Sequence, residues 1–174
     1  MDIKKEIISW IITLAAAAAI AMLIRHFLFE PVRVEGRSME NTLIGGEIMF
    51  VTKPEYLFGV PQRQDVVICR YPNRKENFVK RLIGLPGDTI EMRGTKVFIN
   101  GEELTEVYLT DSNNRYDKSM QPIVLGDDDY FVMGDNRDNS NDSRARAVGF
   151  LSRSQIIGHV RCVVFPFGNI RVIK

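Results

Sequence analysis

From Ile7 to Ile24 the chain carries no charge and is apolar apart from Ser9 and Thr13. Eighteen helical residues rise roughly 27 Å, close to the hydrocarbon thickness of a bilayer. Trp10 stands near one end of this run and Arg25-His26 close the other. Residues 1–26 are therefore expected to form a short tail and a transmembrane anchor, with residues 27–174 as a separate domain. A cleavable signal peptide is the rival reading, since Ala19-Ile20-Ala21 fits a small-x-small cleavage pattern. Met22-Leu23-Ile24 continue the apolar run past it and no polar stretch precedes the cut, which favours an uncleaved anchor. Lys4 and Lys5 bias the tail towards the cytoplasm, although Asp2 and Glu6 offset them and Arg25, Arg33 and Arg37 follow the span. The expectation is a single-pass protein of the cytoplasmic membrane with its domain on the extracytoplasmic side.

Beyond residue 30 the pattern changes to short β-branched or aromatic runs separated by turn residues. Pro31–Glu35 alternates as a first strand. Further strands are expected at Glu47–Lys53, Asp65–Arg70, Asn77–Ile83, Thr89–Met92, Lys96–Ile99, Tyr130–Met133 and His159–Phe165. Asn100-Gly101 is a hairpin turn signal, Arg93-Gly94 a weaker one, and Pro86-Gly87-Asp88 separates two of the strands. Ser152–Ile157 reads as one short helical turn capped by Ser152 or Ser154. Residues 102 to 127 carry little pattern and read as a variable excursion. Strands at this density predict a mainly β fold, antiparallel with long loops, behind one N-terminal transmembrane helix.

Charge and composition remove several classes of function. The 174 residues allow one sizeable core plus a small appendage. Lys+Arg total 23 against 22 Asp+Glu, a formal net charge of +1, so no basic surplus points to nucleic acid. Cys69 and Cys162 lie in apolar, strand-like runs and read as buried thiols, with a disulfide left open for an exported domain. The two histidines, His26 and His159, neighbour no ligand cluster, so no metal or other cofactor is expected.

The run Phe78-Val79-Lys80-Arg81-Leu82-Ile83 then changes the picture. A lysine among apolar neighbours is hard to keep charged, because burial penalises the ammonium and lowers its pKa. A neutral amine is a competent general base, and a serine hydroxyl within reach becomes a nucleophile. Alternation alone does not say whether Lys80 or Arg81 points inward. A guanidinium does not deprotonate in proteins, so only Lys80 qualifies as base. The plain alternative is a lysine snorkelling at a strand edge.

A second polar constellation is Gly134-Asp135-Asn136-Arg137-Asp138-Asn139-Ser140-Asn141-Asp142-Ser143-Arg144. Asp138, Ser140 and Asp142 alternate as calcium ligands do, but Ser143 and Gly149 stand where an EF-hand loop requires Gly and Glu. Arginines interleaved with carboxylates read instead as a loop braced by its own ion pairs and Asx turns. The apolar stretch Tyr56–Pro61 fits contact with lipid and packing within a long hairpin equally well.

Gly36-Arg37-Ser38-Met39-Glu40-Asn41-Thr42-Leu43, Asp65-Val66-Val67-Ile68, the lysine run and the 134–144 segment together resemble the ordered motifs of type I signal peptidases. The resemblance runs from the anchor to about residue 165, and the short, singly anchored chain is similar to the Gram-positive bacterial branch. It implies a signal-peptidase-type β catalytic domain and a membrane-bound serine endopeptidase. Such an enzyme removes signal peptides from exported preproteins after small residues at A-x-A-like sites, with preproteins and membrane lipid as partners. By the same resemblance Ser38 is the nucleophile and Lys80 its general base. Ser140 matches a hydroxyl that orients the lysine, and Asp142 and Arg144 match a bracing pair. Val34, Met39 and Val79 resemble residues lining substrate pockets, though residues of a strand core look the same. The Ser38 backbone N–H would supply part of an oxyanion hole, and Gly36 stands where some relatives add a serine hydroxyl.

One position departs from the pattern. The family usually carries Ser-Met-x-Pro-Thr, and here Asn41 replaces the proline. Proline fixes φ and removes an N–H, so Asn41 predicts a looser turn after the nucleophile. It is the one feature favouring a catalytically weak or silent homologue that binds signal peptides or assists surface-protein assembly. A self-cleaving SOS-type repressor shares Ser–Lys chemistry, but the anchor and the lack of a DNA-binding region argue against it.

Overall fold

A computed structural model describes residues 3–27, 29–52, 56, 59–115 and 117–173. Helix α1 (Ile3–Phe27) runs unbroken through the apolar segment, and from Ile3 to Met22 every side chain is exposed. A helix that is apolar all round and covered by no other element has the character of a membrane span, and Ile3–Met22 is long enough to be one.

The remainder is antiparallel β structure. Its strands are β1 (Phe29–Arg33), β2 (Ile48–Thr52), β3 (Val66–Arg70), β4 (Asn77–Gly84), β5 (Thr89–Arg93), β6 (Lys96–Ile99), β7 (Glu102–Glu103), β8 (Met120–Val124), β9 (Phe131–Met133), β10 (Ile156–Phe165) and β11 (Arg171–Val172). One sheet has the order β1-β2-β10-β3-β4-β9, with β11 also on β10; the second runs β7-β6-β5-β8. Val34, Met39, Leu43, Met49, Val51, Ile68, Val160 and Val163 fill one side of the larger sheet. Val67, Cys69, Leu82, Val132 and Leu151 pack in a separate cluster. Ile83, Ile90, Val97, Phe131 and Met133 join the two sheets.

The expected strands appear with small changes of boundary, and three expectations need correction. The first strand begins at Phe29 and ends at Arg33 rather than covering Pro31–Glu35, because β2 offers partners only as far as Ile48 opposite Arg33. Residues 152–157 are not a helical turn throughout. Only Arg153–Gln155 form a 3-10 turn, closed by Ser152 N–H on Gln155 Oε1 at 2.9 Å, while Ile156 and Ile157 open β10. The 102–127 excursion contains β7 and β8. Pro122 hid β8, but β8 pairs only with β5, and an edge strand with a register shift tolerates proline.

Cys69 is buried on β3 and Cys162 half-buried on β10, both as free thiols. Of the Tyr56–Pro61 stretch, Leu57 and Phe58 lie outside the described residues, as does Lys53 at the expected end of β2.

Candidate active site

The question of which basic side chain of β4 points inward has an unexpected answer: both Lys80 and Arg81 are buried. β4 has β3 and β9 on its two edges and is packed on both faces here, since every residue from Lys80 to Gly84 is buried. The two side chains leave the strand on opposite sides, as the pleat requires. Lys80 turns to a groove and Arg81 to a carboxylate.

Lys80 Nζ lies 2.7 Å from Ser38 Oγ and 2.9 Å from the Val79 carbonyl oxygen. Burial lowers the Lys80 pKa chiefly by desolvating the ammonium, with a smaller push from Arg144; Cys69, Asp142 and Asp135 oppose it. The Cys69 thiol is itself pushed up to about 12 by burial, so near neutral pH it is uncharged and does not hold the lysine protonated. An amine with one N–H committed to Val79 and its nitrogen against a hydroxyl is placed to accept that hydroxyl's proton.

Ser38 sits in a turn whose carbonyls and side chains are held from several directions. Thr42 and Leu43 N–H both donate to Met39 O, at 3.0 and 2.8 Å. The Asn136 N–H donates to Ser38 O at 3.0 Å, and its Nδ2 donates to Arg37 O and Glu40 Oε2, each at 3.0 Å. Behind the turn, Arg81 grips Asp135 through Nε at 2.9 Å and Nη2 at 2.7 Å, and both residues are almost wholly buried. Thr42 Oγ1 donates to Asp135 Oδ2 at 2.5 Å, tying the Ser38 turn to this ion pair. Asp135 and Thr42 were not singled out as site residues from the sequence. The signal was present in the 134–144 segment, where Asp135 is the one carboxylate next to the glycine.

Asp142 and Arg144 form a bidentate pair at 2.7 and 2.9 Å, and Asp142 Oδ2 also accepts the Gly134 N–H at 2.9 Å. Arg144 Nη2 donates to Arg137 O at 3.0 Å, which closes the loop upon itself. A Cβ on Gly134 would collide with Ser38 O and Ser140 Oγ, so the last motif passes directly against the Ser38 peptide. Ser140 Oγ is buried beside Gly134 and makes no hydrogen bond to Lys80 Nζ.

Val34, Met39 and Val79 line a groove of about 440 Å³ that also exposes Ser38 and Lys80. They belong at the same time to the core cluster around Ile68, so the pocket reading and the strand-core reading describe the same wall. Among the described residues no group of His, Cys, Asp and Glu has the arrangement of a metal site.

A hydroxyl thus lies against a buried amine in a groove of an antiparallel β fold that follows a membrane-length helix, a pairing of the kind from which serine nucleophiles are built. The chain belongs to the signal peptidase family, peptidase S26, whose model matches residues 7–165. It is 42% identical over 178 residues to signal peptidase I P of Bacillus subtilis subsp. natto, covering 98% of this chain and 95% of that protein. It is 33% identical over 186 residues to signal peptidase IB of Staphylococcus aureus strain COL, covering 97% and 94%. The crystal structure of a signal peptidase I from Enterococcus faecalis V583 matches with a TM-score of 0.50 at 36% identity, covering 57% of this chain and 96% of that one.

Proposed function

We propose that this signal peptidase cleaves preproteins with Ser38 as nucleophile and Lys80 as general base; the 2.7 Å contact between Ser38 Oγ and Lys80 Nζ carries the reading. With the amine neutral, Ser38 Oγ attacks the scissile carbonyl carbon while its proton passes to Nζ. The Ser38 N–H faces the oxygen that becomes the oxyanion. The Lys80 ammonium returns the proton to the departing amine, leaving an acyl-enzyme on Ser38. A water molecule, deprotonated by the same amine, then releases the signal peptide's carboxylate. Val34, Met39 and Val79 restrict the groove to small side chains, because a filled wall rejects larger ones by overpacking. Asp142 and Arg144 fix the segment that meets Ser38 O, and Ser140 fills the space beside Gly134.

Residues 1–26 serve as tail and anchor, residues 27–174 as the extracytoplasmic catalytic domain. Val32, the first groove residue, follows Phe27 by five positions, at most about 17 Å of extended chain, so cleavage occurs close to the bilayer. Phe165, Phe167, Ile170 and Val172 are exposed apolar side chains on or beside β10 and β11 and give the domain a face for lipid.

The test is cleavage of a preprotein bearing an A-x-A site, in detergent with phospholipid, by the native chain and by Ser38→Ala. Cleavage after the small residue by the native chain alone is expected. Bound but intact substrate with both proteins would instead identify a silent binding homologue.

A further inference from the structure

Asn41 has φ +89°, a region closed to proline and uncommon for any residue but glycine and asparagine. The conformation is specified from outside the turn. Asn113, a buried residue of the segment between β7 and β8, donates through Nδ2 to Glu40 O at 3.2 Å. That oxygen belongs to the peptide unit joining Glu40 to Asn41, so the bond fixes the plane on which the φ of Asn41 depends. Thr110 Oγ1 donates to Asn113 Oδ1 at 3.1 Å and accepts from Asn41 Nδ2 at 3.0 Å. Asn41, Thr110 and Asn113 thus form a chain of side-chain hydrogen bonds, clipped to the backbone two residues after Ser38.

The segment carrying Thr110 and Asn113 is itself anchored on the machinery behind the site. Glu106 is ion-paired with the buried Arg137, and Tyr108 lies with its ring 3.8 Å from the Arg81 guanidinium. Gln64 Nε2 holds Thr105 O at 3.1 Å, and Asp138 N–H donates to Asn113 O at 3.3 Å. Every second or third residue from 106 to 113 therefore touches the β4–Asp135 clamp, the 134–144 loop or the nucleophile turn.

We infer that residues 104–115 are a strap that positions the nucleophile, with Asn113 and Thr110 as positioning residues that hold the Asn41 turn in its left-handed form. Asn41 is then a fitted part of this chain's site, and replacing it with proline damages the turn instead of tightening it. The inference rests on Ser38 being the nucleophile.

The test compares the native chain with Asn41→Pro, Asn41→Gly and Asn113→Asp in preprotein cleavage, with amide hydrogen exchange at Thr42 and Leu43 as a second readout. Asparagine to aspartate keeps the shape but removes the donor to Glu40 O; glycine adopts positive φ without cost. Asn41→Pro and Asn113→Asp are expected to lose roughly 10- to 100-fold in kcat, the scale on which small misplacements act. Their KM should stay within about threefold, since neither Asn41 nor Asn113 lines the groove, and Asn41→Gly should keep most of kcat. Faster exchange of the Thr42 and Leu43 amides in Asn113→Asp is expected as well. Native kcat and native exchange in Asn113→Asp would overturn the strap, even if Asn41→Pro failed to fold. A native chain that cleaves nothing would overturn the peptidase mechanism, and the exchange measurement would still decide the strap.

Discussion

Lys80 loses its proton more readily in the folded protein than in the unfolded chain, because its burial penalises the ammonium. Between its lowered pKa and the ordinary lysine value of about 10.4, the unfolded state holds more protons, so the fold gains stability as pH rises through that window. Below the window the full cost of the buried ammonium is carried. Activity should rise through the same lowered pKa, as the amine becomes a base, and a pH–rate profile flat up to about 10 would exclude Lys80 from that role. Lys80→Met should lower kcat/KM by roughly 10²–10⁴-fold. It should also raise the midpoint of thermal unfolding near neutral pH, with the gain shrinking towards alkaline pH. An unchanged midpoint would mean that the lysine is charged and compensated. Gly134→Ala is the second test at this scale. Its Cβ would meet Ser38 O, a backbone atom unable to swing aside, so kcat should fall by about tenfold or more while the groove still binds.

Strand β4 shows how far elements and site were legible in the sequence. The run that marks it is a strand in the structure, and the chemical argument singles out Lys80 over Arg81 as the candidate base. Alternation was silent because it separates buried from exposed faces, and β4 has no exposed face at this point. The partner of Arg81 is Asp135, 54 positions away on the far side of β9, and no local pattern connects them. The strap was missed for a similar reason. Residues 104–115 have no period because they pack through single side chains, Glu106, Tyr108 and Asn113, onto three different segments. The clamp itself should be expensive to break. Removing one partner of a buried ion pair typically costs about 3–5 kcal/mol, so Asp135→Ala should shift urea unfolding strongly downwards and release Thr42 with it. A variant with native stability would show that Arg81 finds another acceptor.

At the scale of the whole molecule, the anchor and the β domain meet within a few residues, since α1 ends at Phe27 and β1 begins at Phe29. In the proposed topology only a short stretch of chain therefore separates the site from the bilayer. The proposed lipid contact would then have a physical use: it would fix the orientation of the groove, and binding energy spent on orientation appears as rate on a membrane-held substrate. The exposed Phe167, Ile170 and Val172 are the side chains that this contact would use. They also lie away from the Ser38–Lys80 groove, so changing them leaves the chemistry in place. Phe167→Ser combined with Ile170→Ser should thus leave cleavage of a short soluble peptide in detergent near the native rate. The same variant should process a vesicle-embedded preprotein roughly 30-fold more slowly, on the scale of about 1 kcal/mol for each of the two apolar side chains withdrawn from lipid contact. If both substrates are cut at native rates, the anchor alone holds the domain in place, and the apolar face serves some other contact. If both rates fall together, β10 and β11 support the groove itself, through Arg171 on Glu47 and Thr42 O.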